Sequence, residues 1–565
     1  MNSLLHKSQI GFMPGHRTSD HLFSLRTIID KYVKASTKGT IYACFIDFKK
    51  AFDSVWHDGL FLRLLQNNIN GNFYSLIKSL YSKSKCFIKL GSKRTQTFDY
   101  ARGVRQGCIL SPLLFNLYLN KLSLQLDHTI RSDPLILPNN SRLSSLLYAD
   151  DLVLLSKSKE GLQNCINTVG NFCSEWQMNV NEKKSKIMIF SKKRGKKINQ
   201  PSFTINKKTL EIVHQFTYLG VKITSTGNFN AHLDQSKEKA LHAFFKLSRT
   251  VDFKELKPKP ANMLFDSLIS PILTYGCEVW GTYQKQNFDV WDKNQIEKVH
   301  LRFCKYYLGI NRKSSNIASR SELGRFPLKI FIDTLILKYY NHLITMPDDS
   351  IAKQSFLISK SLLSQAKLSF HSNLQSIFQI YNLGDLDVLR NNLITNKTLT
   401  EFTSKMKNQY FEKWKIDVQA SSKLSFFSSF KNDYECETYL DTINNFEERR
   451  HFTRIRLSNH RLAIESGRYT KIPLEDRLCN FCDDRAIESE FHMLYQCSFY
   501  KNIRKDFYDK ISLNYEQIDN LKLTYELFHS TSEKTIQHFS KFIYKCFKSR
   551  EDKILSNKNE NLSLE

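Results

Sequence analysis

Two adjacent carboxylates, Asp150 and Asp151, interrupt the apolar stretch LLYADDLVLLS that runs from Leu146 to Ser156. Like charges at the rim of a buried hairpin repel each other and lose water, so they are tolerated mainly when a cation neutralises them. A hard divalent ion is the natural match for such oxygen donors. On this tetrapeptide alone, a solvated turn stays open as the other reading. A third carboxylate, Asp47, closes the compact apolar segment Ile41–Ile46. The end of a buried strand is where open sheets hold ligands, although Asp47 could equally cap the helix expected after it. A separate set, Cys479, Cys482, His492 and Cys497, has the spacing C-x2-C-x9-H-x4-C. Three thiolates and an imidazole suit one tetrahedral, structural zinc ion.

These side chains need elements to hold them. Leu143–Leu147 and Leu152–Leu155 read as two buried strands joined by a tight turn at Ala149-Asp150-Asp151. The turn-rich loop SQIGFMPGHRT (Ser8–Thr18) precedes a helix expected from about Ser19 to Lys34, with Leu22, Phe23, Leu25, Ile28, Ile29 and Val33 at helical spacing. After Asp47, FKKAFDSVWHDGLFLRLLQ reads as an amphipathic helix. Residues 95–106 read as extended, and Ser111-Pro112 as the start of a helix running LLFNLYLNKLSLQL. In front of it, GVRQGC offers two glycines that let a ligand approach the backbone, with Arg105 and Gln106 as donors. A helix over 158–173, a strand ending WQMNVNEKKSKIMIF and a hairpin strand FTYLGVKI follow. KKRGKK (Lys192–Lys197) is either a solvated loop or a phosphate contact or nuclear import signal.

Composition sets the frame. The 565 residues exceed one core, and 41% hydrophobic with 13% aromatic content supports globular folding. Against 55 Asp and Glu stand 83 Lys and Arg, a formal net charge of +28. That excess favours a polyanionic partner, nucleic acid first. The twelve cysteines are scattered through helix-like and strand-like segments, which suits reduced intracellular thiols. MNSLLHKSQIGF lacks the apolar core of a signal peptide, and no apolar run reaches membrane-spanning length. In HFTRIRLSNHRLAIESGRY, Arg454, Arg456, Arg461 and Arg468 interleave with Phe452 and Tyr469. That mixture suits single-stranded nucleic acid or a solvated helix face.

In order, QIGFMPGHRTSDH, FIDFKKAFDSVWH, GVRQGCILSPLLFNLYLN, LLYADDLVLLS, WQMNVNEKKSKIMIF and FTYLG resemble the successive polymerase motifs of the reverse transcriptases of non-LTR (LINE-like) retrotransposons. The resemblance implies an α+β fold: a right-hand polymerase palm, an antiparallel sheet with packed helices, carrying partial fingers. A mostly α-helical thumb and C-terminal region with a small zinc knuckle would follow. The implied divisions are 1–225 fingers and palm, 226–345 thumb and connecting helices, 346–445 a helical linker, 446–500 the basic segment and knuckle, and 501–565 a basic helical tail.

The implied activity is that of an RNA-directed DNA polymerase, extending a DNA 3′-end on an RNA template. Two Mg2+ ions about 3.5 to 4 Å apart serve such transfer, with Asp47, Asp150 and Asp151 as ligands. Phe52 matches the bulky gate that excludes a ribose 2′-hydroxyl. Arg105, Gln106 and Gly107 match the loop contacting the incoming nucleotide and template. Lys184 matches the basic residue that protonates or stabilises pyrophosphate, and Tyr218, Leu219 and Gly220 match the primer grip. The expected partners are an RNA template, a DNA primer or target, and deoxynucleoside triphosphates, with no membrane. The expected location is nuclear with a cytoplasmic ribonucleoprotein stage. The chain opens close to the GFMPGH loop, without the upstream finger segment and endonuclease of intact relatives. Met13 and His16 also stand where Arg is common. Incomplete fingers, and impaired catalysis by this polypeptide alone, are therefore expected.

Overall fold

The computed structural model describes residues 4–37, 39–129, 134–192, 201–284, 287–384, 393–512 and 519–562. All but one residue of KKRGKK, Lys192, lie outside them. Contacts divide the chain into two compact units, Met1–Gln235 with Tyr275–Gln284 and Ile332–Leu399, and Ser236–Thr274 with Lys285–Phe331 and Thr400–Glu565.

In the first unit, the apolar segment TIYACFI forms β1 (Thr40–Ile46) at the middle of a five-stranded sheet. Its antiparallel neighbours are β3 (Asp151–Ser156), which continues the hairpin from β2 (Ser145–Tyr148), and β4 (Lys186–Ser191). The short β5 (Glu211–Ile212) joins β4 in parallel. Strands flanked on both sides and covered by helices read as unbroken apolar runs, which is why DLVLLS shows little alternation. The covering helices are α1 (Thr18–Ile29), α2 (His57–Gln66), α3 (Gly71–Ser82), α4 (Ser111–Thr129) and α5 (Lys159–Glu175). On α5, Leu162, Cys165, Ile166, Val169, Phe172 and Cys173 recur at helical spacing and are buried. The Ser158 hydroxyl caps it by accepting from the Gly161 amide at 3.2 Å. With Cys44, Ile46, Leu152, Leu154, Phe115 and Leu122, they belong to one core between sheet and helices.

The helix expected directly after Asp47 starts later. Residues 47–49 pair instead with the 179–181 segment, Lys49 N–H donating to Asn179 O at 2.7 Å and Asn181 N–H to Asp47 O at 2.7 Å. A single helical turn at Phe52–Ser54 follows, and α2 begins only at His57. Asp47 therefore caps no helix.

The second unit is helical and is tied inside by ion pairs. Arg456 and Glu322 are both buried, with Arg456 Nη2 donating to Glu322 Oε1 at 3.0 Å and to Glu437 at 2.9 Å. Arg320 bridges Asp292 at 2.6 Å and Glu297 at 3.1 Å. Buried charges survive only when paired this way. No described helix is long and apolar enough to cross a membrane.

Candidate active site

The hairpin turn that carries the acidic pair consists of Ala149 and Asp150, closed by the Tyr148–Asp151 pair. β1 ends one residue before Asp47, so the two segments deliver their carboxylates to one edge of the sheet. Asp47 N–H donates to the Ser185 hydroxyl at 3.1 Å. Asp47 and Asp150 both line a cavity of about 760 Å³, together with Phe52, Asp53, Arg102, Gln106, Asn179, Asn181 and Lys184. Asp151 sits on the solvent side of the turn and is exposed. Loss of water, then the Asp47 charge, raises the Asp150 carboxyl above its ordinary range. Loss of water, then Asp150 and Asp47, pushes Asp151 up to about 6. Crowded oxygen donors that resist ionising together are a fit for a divalent cation, which would relieve the repulsion.

The neighbouring loops complete the cavity. Gly103 N–H donates to Val55 O at 2.8 Å and Val104 N–H to Phe52 O at 2.8 Å, fastening GVRQGC to the FDSV segment. Gly103 has φ +96°, and a Cβ there would come within 2.9 Å of the Asp53 backbone. The Gln106 amide donates to Asp53 at 3.3 Å. Phe52 stacks on Phe115 with centroids 4.5 Å apart, and Phe12 meets its edge at 6.3 Å. Arg105 is drawn off to the Ser84 hydroxyl. With Gln106, Gly107, Phe12 and Phe52 it lines an adjoining cavity of about 400 Å³.

Among the three lysines of the NEKKSK turn, Lys184 lines the larger cavity, whereas Lys186 donates to Glu211 at 2.6 Å. Tyr218, Leu219 and Gly220 form the turn between β6 (Gln215–Tyr218) and β7 (Val221–Thr224). Leu219 and Gly220 have φ +45° and +80°, the sign pattern of a type I′ hairpin. The Tyr218 ring is buried beside Phe45 at 5.6 Å, and Leu219 is 9% exposed. Their side chains are thus turned into the protein, while Gly220 is exposed.

In the second unit, ligand atoms of Cys479, Cys482, His492 and Cys497 all lie within 4.8 Å of one another, the one such group among the described residues. Cys479 Sγ and Cys497 Sγ are 3.9 Å apart. That is far beyond a disulfide and close to the edge of roughly 3.8 Å that zinc–sulfur bonds of about 2.3 Å give a tetrahedron. Cys482 Sγ and His492 Nε2 are 3.3 Å apart. The residues fit a tetrahedral ion. Of the basic-aromatic stretch before it, Arg456 and Phe452 are interior residues, and Arg468 is paired with Glu465 at 2.7 Å. Tyr469 is exposed.

Sequence reading missed Arg102, Asp53, Asn179 and Asn181 as cavity residues. Asp53 lies one residue after Phe52, and the two Asn flank Val180, spacings that could have flagged them. It also missed Gln9 and Tyr275, which touch the two turns and line neither cavity.

Strand-end carboxylates on a central sheet thus share a polar cavity with an aromatic ring and a glycine loop. Residues 1–223 match the family described as reverse transcriptase (RNA-dependent DNA polymerase), so this part of the chain is a reverse transcriptase domain. The chain is similar to a probable RNA-directed DNA polymerase from transposon BS of Drosophila melanogaster, 26% identical over 54% of this chain and 33% of that protein. It is also similar to a Pol polyprotein from the type-1 retrotransposable element R2 of Nasonia vitripennis, 29% identical over 40% and 22%. These relatives are polymerases of non-LTR transposons, which is consistent with the resemblance in the sequence. The chain spans about a third of the length of the first of these relatives. An apo telomerase from Candida tropicalis overlays with a TM-score of 0.30 at 12% identity, over 73% of this chain and 55% of that one.

Proposed function

We propose that this chain is an RNA-directed DNA polymerase that adds deoxynucleotides to a DNA 3′-end on an RNA template. The observation that carries the reading is the meeting of Asp47 and Asp150 in one cavity with Phe52, Gln106 and Lys184. Two Mg2+ ions held by Asp47 and Asp150, with Asp151 alongside, would activate the primer 3′-hydroxyl and offset the charge on the leaving pyrophosphate. Phe52, backed by Phe115, closes the wall against a ribose 2′-hydroxyl and so selects deoxynucleoside triphosphates. Gln106 and Gly107 meet the incoming base pair and Arg105 supports that loop. Lys184 donates to the departing pyrophosphate. The 218–220 turn meets the primer through its backbone, and helices after residue 225 grip the duplex by its phosphates, as a thumb does. One structural zinc at Cys479, Cys482, His492 and Cys497 supports a nucleic-acid contact in the C-terminal region. A DNA target as primer implies work in the nucleus, after a cytoplasmic ribonucleoprotein stage.

The test is primer extension by purified chain on poly(rA) annealed to oligo(dT), with dTTP and Mg2+. Extension that Asp150→Ala abolishes is the expected result. Tight RNA binding without extension by either protein would overturn it and make the chain a nucleic-acid-binding remnant.

A further inference from the structure

Ala149, the residue that precedes Asp150, has φ +55°. A side chain bearing Cβ adopts this left-handed region only when its surroundings enforce it. Glycine is the residue such a hairpin turn ordinarily takes. The chain has alanine here, so the enforcement must come from outside the turn.

It comes from Gln9. Its carboxamide Nε2 donates to Ala149 O at 3.1 Å, and Ala149 N–H donates to its Oε1 at 3.0 Å. The Gly11 amide donates to the same Oε1 at 2.9 Å. Both backbone polar groups of the strained residue are thus held by one side chain, itself 3% exposed. Only a carboxamide can do this, because the job needs a donor and an acceptor on the same planar group. The segment carrying it is fixed independently. Leu147 N–H donates to Ser8 O at 2.8 Å and Ile10 N–H to Leu147 O at 3.0 Å, adding residues 8–10 to the β2 edge. Asn116 Nδ2, on α4, donates to Gly11 O at 2.7 Å. A Cβ on Gly11 would fall 2.2 Å from Ala149 N, so the loop is seated directly on the turn.

We propose that Gln9 is a positioning residue for the Asp150 carboxylate, pinning Ala149 in its left-handed conformation so that the next side chain is aimed into the cavity beside Asp47. Its kinetic consequence rests on the polymerase reading above, whereas the clamp can be tested without it. A reacting group displaced by about 1 Å commonly loses on the order of 100-fold in rate. In the full chain, Gln9→Met keeps the volume and apolar burial but removes both amide contacts. It should lower kcat for dTTP addition by roughly 10- to 100-fold while the KM for poly(rA)/oligo(dT) stays within about twofold. Hydrogen exchange of the 146–152 amides should quicken without a matching change in α5. Adding Ala149→Gly, which makes the same φ unstrained, should recover about tenfold of the loss in rate and restore part of the protection. A merely structural glutamine would give a different pattern: protection lost evenly across the unit and no recovery on adding glycine. That pattern, or unchanged exchange at 146–152 in Gln9→Met, overturns the proposal. If the unaltered chain does not extend primers, the polymerase reading fails while the exchange comparison still decides the clamp.

Discussion

The carboxylate cavity and the Cys/His cluster both gather donors that suit positive ions, yet they are assembled on opposite plans. Asp47 and Asp150 stand on strand ends of a packed sheet, facing a cavity of about 760 Å³ that leaves room for other ligands. Cys479, Cys482, His492 and Cys497 come from loops and a short helical turn, and their donor atoms already converge within 4.8 Å. The first site has a scaffold that stands without an ion and an incomplete ligand set, as Mg2+ sharing its shell with phosphates requires. The second has a full set of four ligands drawn from loops and one helical turn, as a structural zinc requires. Removing an ion should therefore cost activity in one place and structure in the other.

The largest effect tests the first half of that contrast. Asp150→Asn should lower primer extension by about 1000-fold or more, since several kcal/mol of charge stabilisation is lost. Thermal stability should hold or rise, because the substitution relieves repulsion with Asp47 and Asp151. A fall in melting temperature together with activity would mean that the carboxylate serves the fold. The complementary test is a chelator strong enough for zinc, or Cys497→Ser. Either should sharply raise hydrogen exchange around residues 478–500, given apparent zinc-binding energies of about 10 kcal/mol in small sites. Exchange in β1 and β3 should not change. Equal loss in both places would erase the contrast.

Acid probes how the carboxylate scaffold is braced. His21 is fully buried, and burial depresses its pKa to about 4, against the smaller upward pull of its contacts with Ser8 O and Leu147 O. Those contacts, at 2.9 and 3.2 Å, hold residues 8–10 against β2. An unfolded chain takes up this proton near pH 6.5, before the folded one does, so the neutral ring contributes stability above that pH. The contribution shrinks as pH falls from 6.5 towards 4, by up to about 3 kcal/mol. Asp151, raised to about 6, changes stability in the opposite sense over the same window, so the decisive measure is the difference between the chain and His21→Gln. The chain's denaturant midpoint should fall relative to the variant's as pH drops from 6.5 to 4. A difference that stays constant between pH 6.5 and 4 would contradict it.

Selectivity comes next in size. Phe52 is held between Phe115 and Phe12 rather than sunk in the core, so Phe52→Val should shorten the wall and leave the fold intact. Discrimination of dTTP over UTP should weaken by roughly 10- to 100-fold, the scale of a pocket that loses a few carbons. An unchanged ratio would assign the ring to packing alone.

The residues that gather in the two clusters were legible because their chemistry is local. Acid pairs after apolar strands and closely spaced Cys and His stand out in any sequence. The sheet was legible too, since TIYACFI and DLVLLS are apolar from end to end. What sequence could not show is which polar residues support a turn from afar. Gln9 is 140 positions from Ala149 and Tyr275 is 56 from Leu219, separations at which no periodicity speaks. Arg456 and Phe452 misled for a related reason: a basic-aromatic mixture looks solvent-facing until a buried partner such as Glu322 is known. The helix expected after Asp47 failed because pairing with 179–181 outcompeted an amphipathic pattern.

The smallest effect concerns another strained turn of the first unit. Leu219, at φ +45°, is held by one hydrogen bond, from the Tyr275 hydroxyl to Leu219 O at 3.1 Å. The Tyr275 ring also covers Gly220 so closely that a Cβ there would come within 2.7 Å of it. As in the Ala149 turn, the strain is confined to one residue, since Gly220 takes its positive φ freely. Tyr275→Phe keeps the ring over Gly220 and deletes only the hydroxyl, a loss of about 1 kcal/mol for a neutral hydrogen bond. That should raise the KM for primer-template by roughly fivefold with little change in kcat, whereas Tyr275→Ala, which also uncovers the turn, should exceed it. If Phe and Ala behaved alike, the ring would contribute nothing, and the two turns would differ in kind rather than in the number of contacts restraining them.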